Sequence, residues 1–166
     1  TQRRKSSLLE AGGSASNTLI DAADKACRKL MVGHIVRFDP AVQALKVHVQ
    51  AGELGRIHQI VCRRIGPFPH RVRDVGVGLD LAVHDLDLMR HLTGEEPVSL
   101  YAETSRRLND DHEDLVTALL RFPGGVVGML QTNWLTPMRA RDVAVLGDCG
   151  MFFADCIGQA LVFYAN

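Results

Sequence analysis

The stretch Val75-Gly76-Val77-Gly78-Leu79-Asp80-Leu81-Ala82-Val83-His84-Asp85-Leu86-Asp87-Leu88-Met89-Arg90-His91-Leu92 decides how this chain is read, because it carries a narrow polar stripe on an apolar helix. At about 100° per residue, Asp80, His84, Asp87 and His91 fall within a sector of roughly 60°. Leu81, Leu88 and Leu92 flank the stripe on one side, and Leu79, Val83 and Leu86 flank it on the other. A surface helix gives far more of its circumference to water. The pattern therefore predicts a mostly buried helix with a line of carboxylates and imidazoles facing something polar.

Two readings of that line stand side by side. It is either a satisfied polar network of the core or a site. Gly76 and Gly78, just before the helix, are expected to let backbone or ligand approach closely. Asp80 is expected in the first turn, where the helix dipole favours a carboxylate. His84 follows one turn later, so that an acid and an imidazole share one face and one small substrate.

The rest of the chain bounds the choice. With 166 residues, 46% of them hydrophobic and 23% charged, it reads as a soluble globular chain with one sizeable core. The formal net charge is zero, and beyond Arg3-Arg4-Lys5 no basic stripe appears, so no nucleic-acid partner is expected. No apolar run reaches membrane-spanning length and the first residues lack a signal-peptide apolar region, so neither a membrane nor secretion is expected and the cytoplasm is the expected compartment. Cys27, Cys62, Cys149 and Cys156 are scattered, with no spacing that suggests zinc or a disulfide framework.

Along the chain, residues 1–16 read as a flexible arm. A helix capped by Asn17 or Thr18 is expected to reach Arg28, followed by a short buried strand over Leu30-Met31-Val32-Gly33 ending near His34. Asp39-Pro40 predicts a second helix, with Val42, Leu45 and Val49 on its apolar face. A strand is expected over 56–65, then a loop with Pro67 and Pro69 leading to the striped helix, which Gly94 ends. Strands are expected over 98–105, 114–122, 126–134, 139–146, 151–155 and 160–164, with short antiparallel turns at Pro123-Gly124-Gly125 and Gly147-Asp148-Cys149-Gly150. The expected fold is α+β: an open, mostly antiparallel sheet with helices packed on one face and the other face free for oligomerisation. Gly76-Val77-Gly78 lacks the third glycine and the preceding strand of a dinucleotide-binding turn.

Leu30 to Pro40, Gly66-Pro67-Phe68-Pro69, Asp80-Leu81-Ala82-Val83-His84-Asp85 and Asn133-Trp134-Leu135-Thr136-Pro137 together resemble the Gfo/Idh/MocA family of NAD(P)-dependent sugar dehydrogenases, most closely the members acting on nucleotide-linked amino sugars. The resemblance implies that residues 17–34 are the last helix and strand of a Rossmann domain otherwise missing, and that 35–166 form the substrate and oligomerisation domain. It implies that Asp80 and His84, matching the family's DxxxH pair, contact sugar hydroxyls, with His84 moving the proton. Arg71 and Trp134 are further candidate substrate contacts. Leu8-Leu9-Glu10 resembles the start of the family's EKP motif, but Ala11 and Gly12 stand in place of its lysine and proline. The chain also stops where relatives continue. No cofactor is expected to be bound by this chain alone, although the family implies NAD(P). No metal ligand is assigned. The expected function is a sugar or nucleotide-sugar binding domain that forms a homodimer or homotetramer through the sheet face and is silent in isolation. One alternative is a fragment or subunit of an active dehydrogenase; another is a metal-dependent hydrolase using Asp80, His84, Asp87 and His91.

Among the remaining polar residues, His34, Arg37 and Asp39 are expected to brace the interdomain corner rather than touch substrate. Arg63, Arg64, Arg71 and Arg73 flank the proline loop, as solvated side chains or as phosphate contacts. Asp110 to Asp114 read as a polar loop opening a strand.

Overall fold

The central strand organises the molecule. In this computed structural model, which describes residues 17–69, 72, 74–108 and 110–166, β1 (Ile57–Pro67) lies between a parallel neighbour, β4 (Val127–Asn133), and an antiparallel one, β5 (Leu135–Gly147). With β2 (Ser99–Ser105), β3 (Leu115–Arg121), β6 (Gly150–Asp155) and β7 (Ala160–Ala165) it forms one seven-stranded sheet in the order β2-β3-β4-β1-β5-β6-β7. All pairings other than β1 with β4 are antiparallel. The expected open, mostly antiparallel α+β architecture is what forms.

The chain divides into two units, Thr1–Gly33 and His34–Asn166. In the first, helix α1 spans residues 17–25 and ends before the expected Arg28. Cys27 adopts a left-handed backbone (φ 48°) and Arg28 N donates to Ala23 O, a closure that stops the helix. The buried strand expected over Leu30-Met31-Val32-Gly33 does not form: the segment is irregular, and Leu30, Met31 and Val32 are exposed. Among the described residues no strand pairs with it, and an unpaired strand leaves its backbone groups to water.

In the second unit a 3₁₀ turn (Ile35–Phe38) leads to α2 (Pro40–Gln50). Asp39 caps α2 by accepting from Ala41 N at 3.0 Å, and Pro40 fills its first position, as the sequence predicts. A one-turn π-helix (Gly78–Ala82) runs into α3 (Val83–Thr93), which Gly94 ends with φ 73°. Lys46 of α2 donates to the His91 and Leu92 carbonyls, a cation at the negative end of α3 that ties the two helices together.

Both helices cover one sheet face. Val42 and Leu45 of α2 and Leu88, Met89 and Leu92 of α3 are buried with Ile60, Cys62, Leu120, Leu130, Val145 and Phe152. The opposite face carries no helix among the described residues. Strand register places Tyr101, Leu119, Met129, Val61, Ala144, Phe153 and Val162 in one apolar row across all seven strands there.

Two polar contacts fix α3 on the sheet. Arg64 of β1 and Asp85 of α3, 5% and 2% exposed, form a bidentate pair with Nε and Nη2 donating to Oδ1 at 2.9 and 2.7 Å. At the other end, Gly76 and Gly78 do admit a close neighbour, but it is Glu113 of the chain itself rather than a ligand. Glu113 accepts from Gly78 N at 3.0 Å, and a Cβ on Gly76 would fall 2.2 Å from its carboxyl group.

Gly76→Ala is expected to push the Glu113 carboxylate off Gly78 N and lower stability by about 1–3 kcal/mol, with most of the loss absent in a Glu113→Ala background; urea unfolding of the four-member cycle measures this. Asp85→Asn, which leaves the Arg64 charge buried without its counterion, is expected to cost about 3–5 kcal/mol in the same assay.

Candidate functional site

Where the C-terminal end of β1, the π turn and the start of β5 converge, the second unit encloses a pocket of about 420 Å³. Asp80 and Leu81 come from the π turn, Trp134 from the β4–β5 junction, Arg139 and Arg141 from β5, and Cys156 from the end of β6. Asn133 sets the junction: its Oδ1 accepts from Leu135 N, Thr136 N and Thr136 Oγ1, bending the chain between β4 and β5. Trp134 is 3% exposed, packs edge-on against Phe68 with ring centroids 5.5 Å apart, and presents part of its surface to the pocket. It is both core and lining.

The stripe on the helix divides in two. Asp80 reaches the pocket, whereas Asp87 is 3% exposed and held by Arg37, whose Nε and Nη2 donate to it at 2.7 and 2.5 Å. Burial opposes charge on Asp87, but the Arg37 hydrogen bonds and the nearby His34, Arg37 and Arg90 hold its carboxyl below the usual range. His34 Nε2 stands 3.5 Å from Asp87, and the His34 ring lies edge-on to His84 at 6.4 Å. His34 and Arg37 thus gather at Asp87, whereas Asp39 is used as the cap of α2. His91 is kept from protonating by burial and by the charges of Lys46 and Arg37.

His84 stands one turn beyond Asp80, outside the residues that line the pocket, with Arg64, Asp85, His34 and Asp80 in its electrostatic surroundings. Burial lowers its pKa, and the Arg64 charge adds to this, against Asp85 and Asp80. Its Nδ1 is buried without a hydrogen-bond partner. A neutral imidazole is the form that accepts a proton. Burial likewise pushes the Cys156 thiol up to about 11, so it is no nucleophile.

Of the candidate site residues, the structure brings Asp80 and Trp134 into one pocket and His84 into the shell behind it. Arg71 lies outside the described residues, as do His70 and Arg73. Arg64 belongs to neither reading given for the loop arginines: it is buried against Asp85, while Arg63 pairs with Asp142 at 2.7 Å. Sequence reasoning missed Arg64–Asp85, Arg139 and Arg141. The signal for the first was present, since Asp85 falls among Leu81, Leu88, Met89 and Leu92 on the apolar side of the helix, and alternation puts Arg64 with Ile60 and Cys62. A carboxylate there needs a buried cation.

Neither a dinucleotide nor a metal fits what is described. A diphosphate needs free backbone N–H groups and positive potential at a glycine-rich helix start, and the space beside Gly76 and Gly78 is filled by the Glu113 carboxylate. The Asp110 to Asp114 loop is structural where described: Asp114 is fully buried and accepts from Arg107 N and Leu108 N. Among the described residues no three His, Cys, Asp or Glu side chains are grouped to hold a metal ion, and Asp87, which a hydrolase reading needs, is held by Arg37. No helix among them is long and apolar enough to cross a membrane.

Comparison with known proteins agrees with this geometry. The profile of the GFO/IDH/MocA C-terminal domain matches residues 42–153. The UDP-N-acetylglucosamine 3-dehydrogenase of Acidithiobacillus ferrooxidans is 32% identical over 149 residues, 90% of this chain and 46% of that protein. Its solved structure superposes with a TM-score of 0.78 over 90% of this chain and 48% of that one. The myo-inositol 2-dehydrogenase of Thermotoga maritima is 28% identical over 87% of this chain and 46% of its own. The WlbA dehydrogenase of Bordetella pertussis, solved with NADH and UDP-GlcNAcA, is 26% identical with a TM-score of 0.73, over 82% of this chain and 43% of that one. The chain thus spans about half the length of the relatives it matches. By fold, by profile and by these relatives, the chain belongs to the Gfo/Idh/MocA oxidoreductase family and corresponds to its C-terminal domain.

Proposed function

We propose that this domain is the substrate-binding and subunit-assembling half of a sugar or nucleotide-sugar dehydrogenase. The observation that supports the reading is a pocket lined by Asp80 and Trp134, with His84, whose pKa is lowered chiefly by burial, one helical turn from Asp80 and outside the lining. A carboxylate that accepts from sugar hydroxyls, with an indole for the apolar face of the ring, is the chemistry of carbohydrate recognition. In this reading His84, one turn from Asp80, is the base for the hydroxyl at the carbon being oxidised, which requires the bound sugar to reach past the lining seen here. The reading gives this chain the sugar and the proton, with the nicotinamide chemistry of the family supplied outside the described residues.

The uncovered sheet face is read as the contact between copies. Seven strands at about 4.8 Å spacing span roughly 30 Å, and Tyr101, Leu119 and Val162 in the apolar row are 64%, 49% and 41% exposed. A continuous apolar row this long is costly to leave in water.

UDP-N-acetylglucosamine or myo-inositol is expected to raise the melting temperature of the chain, and Asp80→Asn to abolish the rise without lowering the unliganded value. No shift with either ligand would refute the sugar reading. Because the folded pKa of His84 lies below 6.5, the unfolded state takes up its proton first as pH falls, so stability is lost as pH drops below about 6.5. His91 acts in the same direction. His84→Gln is expected to flatten the decline in urea midpoint between about pH 7 and pH 5. Leu119→Glu with Met129→Glu is expected to convert a dimer or tetramer to a monomer on gel filtration, an outcome excluded if the native chain is already monomeric.

A further inference from the structure

The pocket contains an electrostatic mismatch that its own fold does not resolve. In the β1–β5 register Arg63 lies opposite Asp142 and Arg64 lies opposite Arg141. The first rung is complementary and forms an ion pair on the open face. The second sets two arginines opposite each other in register on the helix face, and like charges directly opposite destabilise an antiparallel pair. Arg64 has its counterion in Asp85. Arg141 has no ion-pair partner among the described residues, and neither has Arg139, two residues earlier on the same face of β5. Both line the pocket beside Trp134. Both side chains are exposed, so their guanidinium groups are open to a ligand; partial burial and the charge of Arg64 lower the pKa of Arg141.

We infer that Arg139 and Arg141 form an anion subsite, and that the substrate is a sugar carrying a phosphoryl or carboxylate group. The inference rests on the sugar reading of the same pocket and narrows it to a charged substrate class. Asp80 and the two arginines stand on different elements, the π turn and β5, so one ligand meets a hydroxyl acceptor at one part of the pocket and a cationic fork at another. Guanidinium groups match phosphate and carboxylate oxygens with two parallel N–H donors, which a neutral sugar cannot use. Holding an unpaired cation against a like charge lowers the stability of the empty protein, a cost of the kind carried at binding sites.

The test uses the full chain, calorimetric titration and four probes: inorganic pyrophosphate, D-glucose 1-phosphate, D-glucuronate and D-glucose. Glucose 1-phosphate or glucuronate is expected to bind at least about tenfold more tightly than glucose. Which of the two binds more tightly distinguishes a phosphoryl from a carboxylate source. Arg139→Gln with Arg141→Gln is expected to remove this preference and pyrophosphate binding. Arg141→Gln alone is expected to raise the melting temperature of the unliganded chain, which separates a lost ligand contact from a damaged fold. Equal affinity for charged and neutral sugars, or a preference that survives both substitutions, overturns the subsite. Pyrophosphate binding that depends on the arginines, with no binding of any sugar, keeps the subsite and overturns the sugar reading; glucose binding without anion binding does the reverse.

Discussion

Everything in this domain depends on the buried Arg64–Asp85 pair. It joins the middle of the sheet to the helix that carries the site, and neither charge is reached by water. Two ions taken out of solvent are tolerable only when geometry is good and the remaining donors are used. Here the guanidinium donates twice to one carboxylate oxygen, and the Thr132 hydroxyl lies at 3.4 Å from the other. A helix held by apolar contacts alone can slide or rotate by a fraction of a turn with little loss. One held by a bidentate pair cannot, because any rotation strands both charges. Asp80, five residues before Asp85, and His84, directly before it, inherit that orientation.

The pair also governs the charge of its surroundings. Burial first, and then the Arg64 charge, lower the pKa of His84 against the opposing charges of Asp85 and Asp80. With Arg37 spent on Asp87, the second half of the polar stripe is structural. Among the described residues, Asp80 and the two arginines of β5 line the pocket without an ion-pair partner in the fold. Polar groups that the fold satisfies brace the structure, and those it leaves open mark the surface where a ligand finishes the pairing.

Much of this was legible in the sequence. Asp39-Pro40 and Gly94 marked helix ends by local chemistry, and the glycine turns marked hairpins, so the antiparallel strands followed with boundaries off by a residue or so, except that β5 starts at Leu135 rather than at 139. The failures have physical causes. Leu30 to Gly33 looks like a strand by composition, but a strand exists only when another pairs with it, and local sequence carries no sign of the missing neighbour. Gly76 and Gly78 announced a close approach without saying by what, since Glu113 is far away in sequence. The arginines of β5 stayed hidden for a similar reason. Arg141 acquires meaning only opposite Arg64, and that register is set by β1 lying between β4 and β5.

That register also links the two faces of the sheet. Side chains alternate along a strand, so the residues that build the site and those that form the open face are interleaved: Cys62 and Arg64 point one way, Val61 and Arg63 the other. On β5, Arg141 and Val143 alternate with Asp142 and Ala144. A slip of one residue between β1 and β5 would break the Arg63–Asp142 pair on one side and remove the Arg64–Arg141 opposition on the other. The complementary pair on the open face therefore stabilises the alignment that the like-charged pair on the helix face opposes. A binding pocket with an unpaired cation is sustained because the rung beside it, and the apolar row beyond, fix the strands in place.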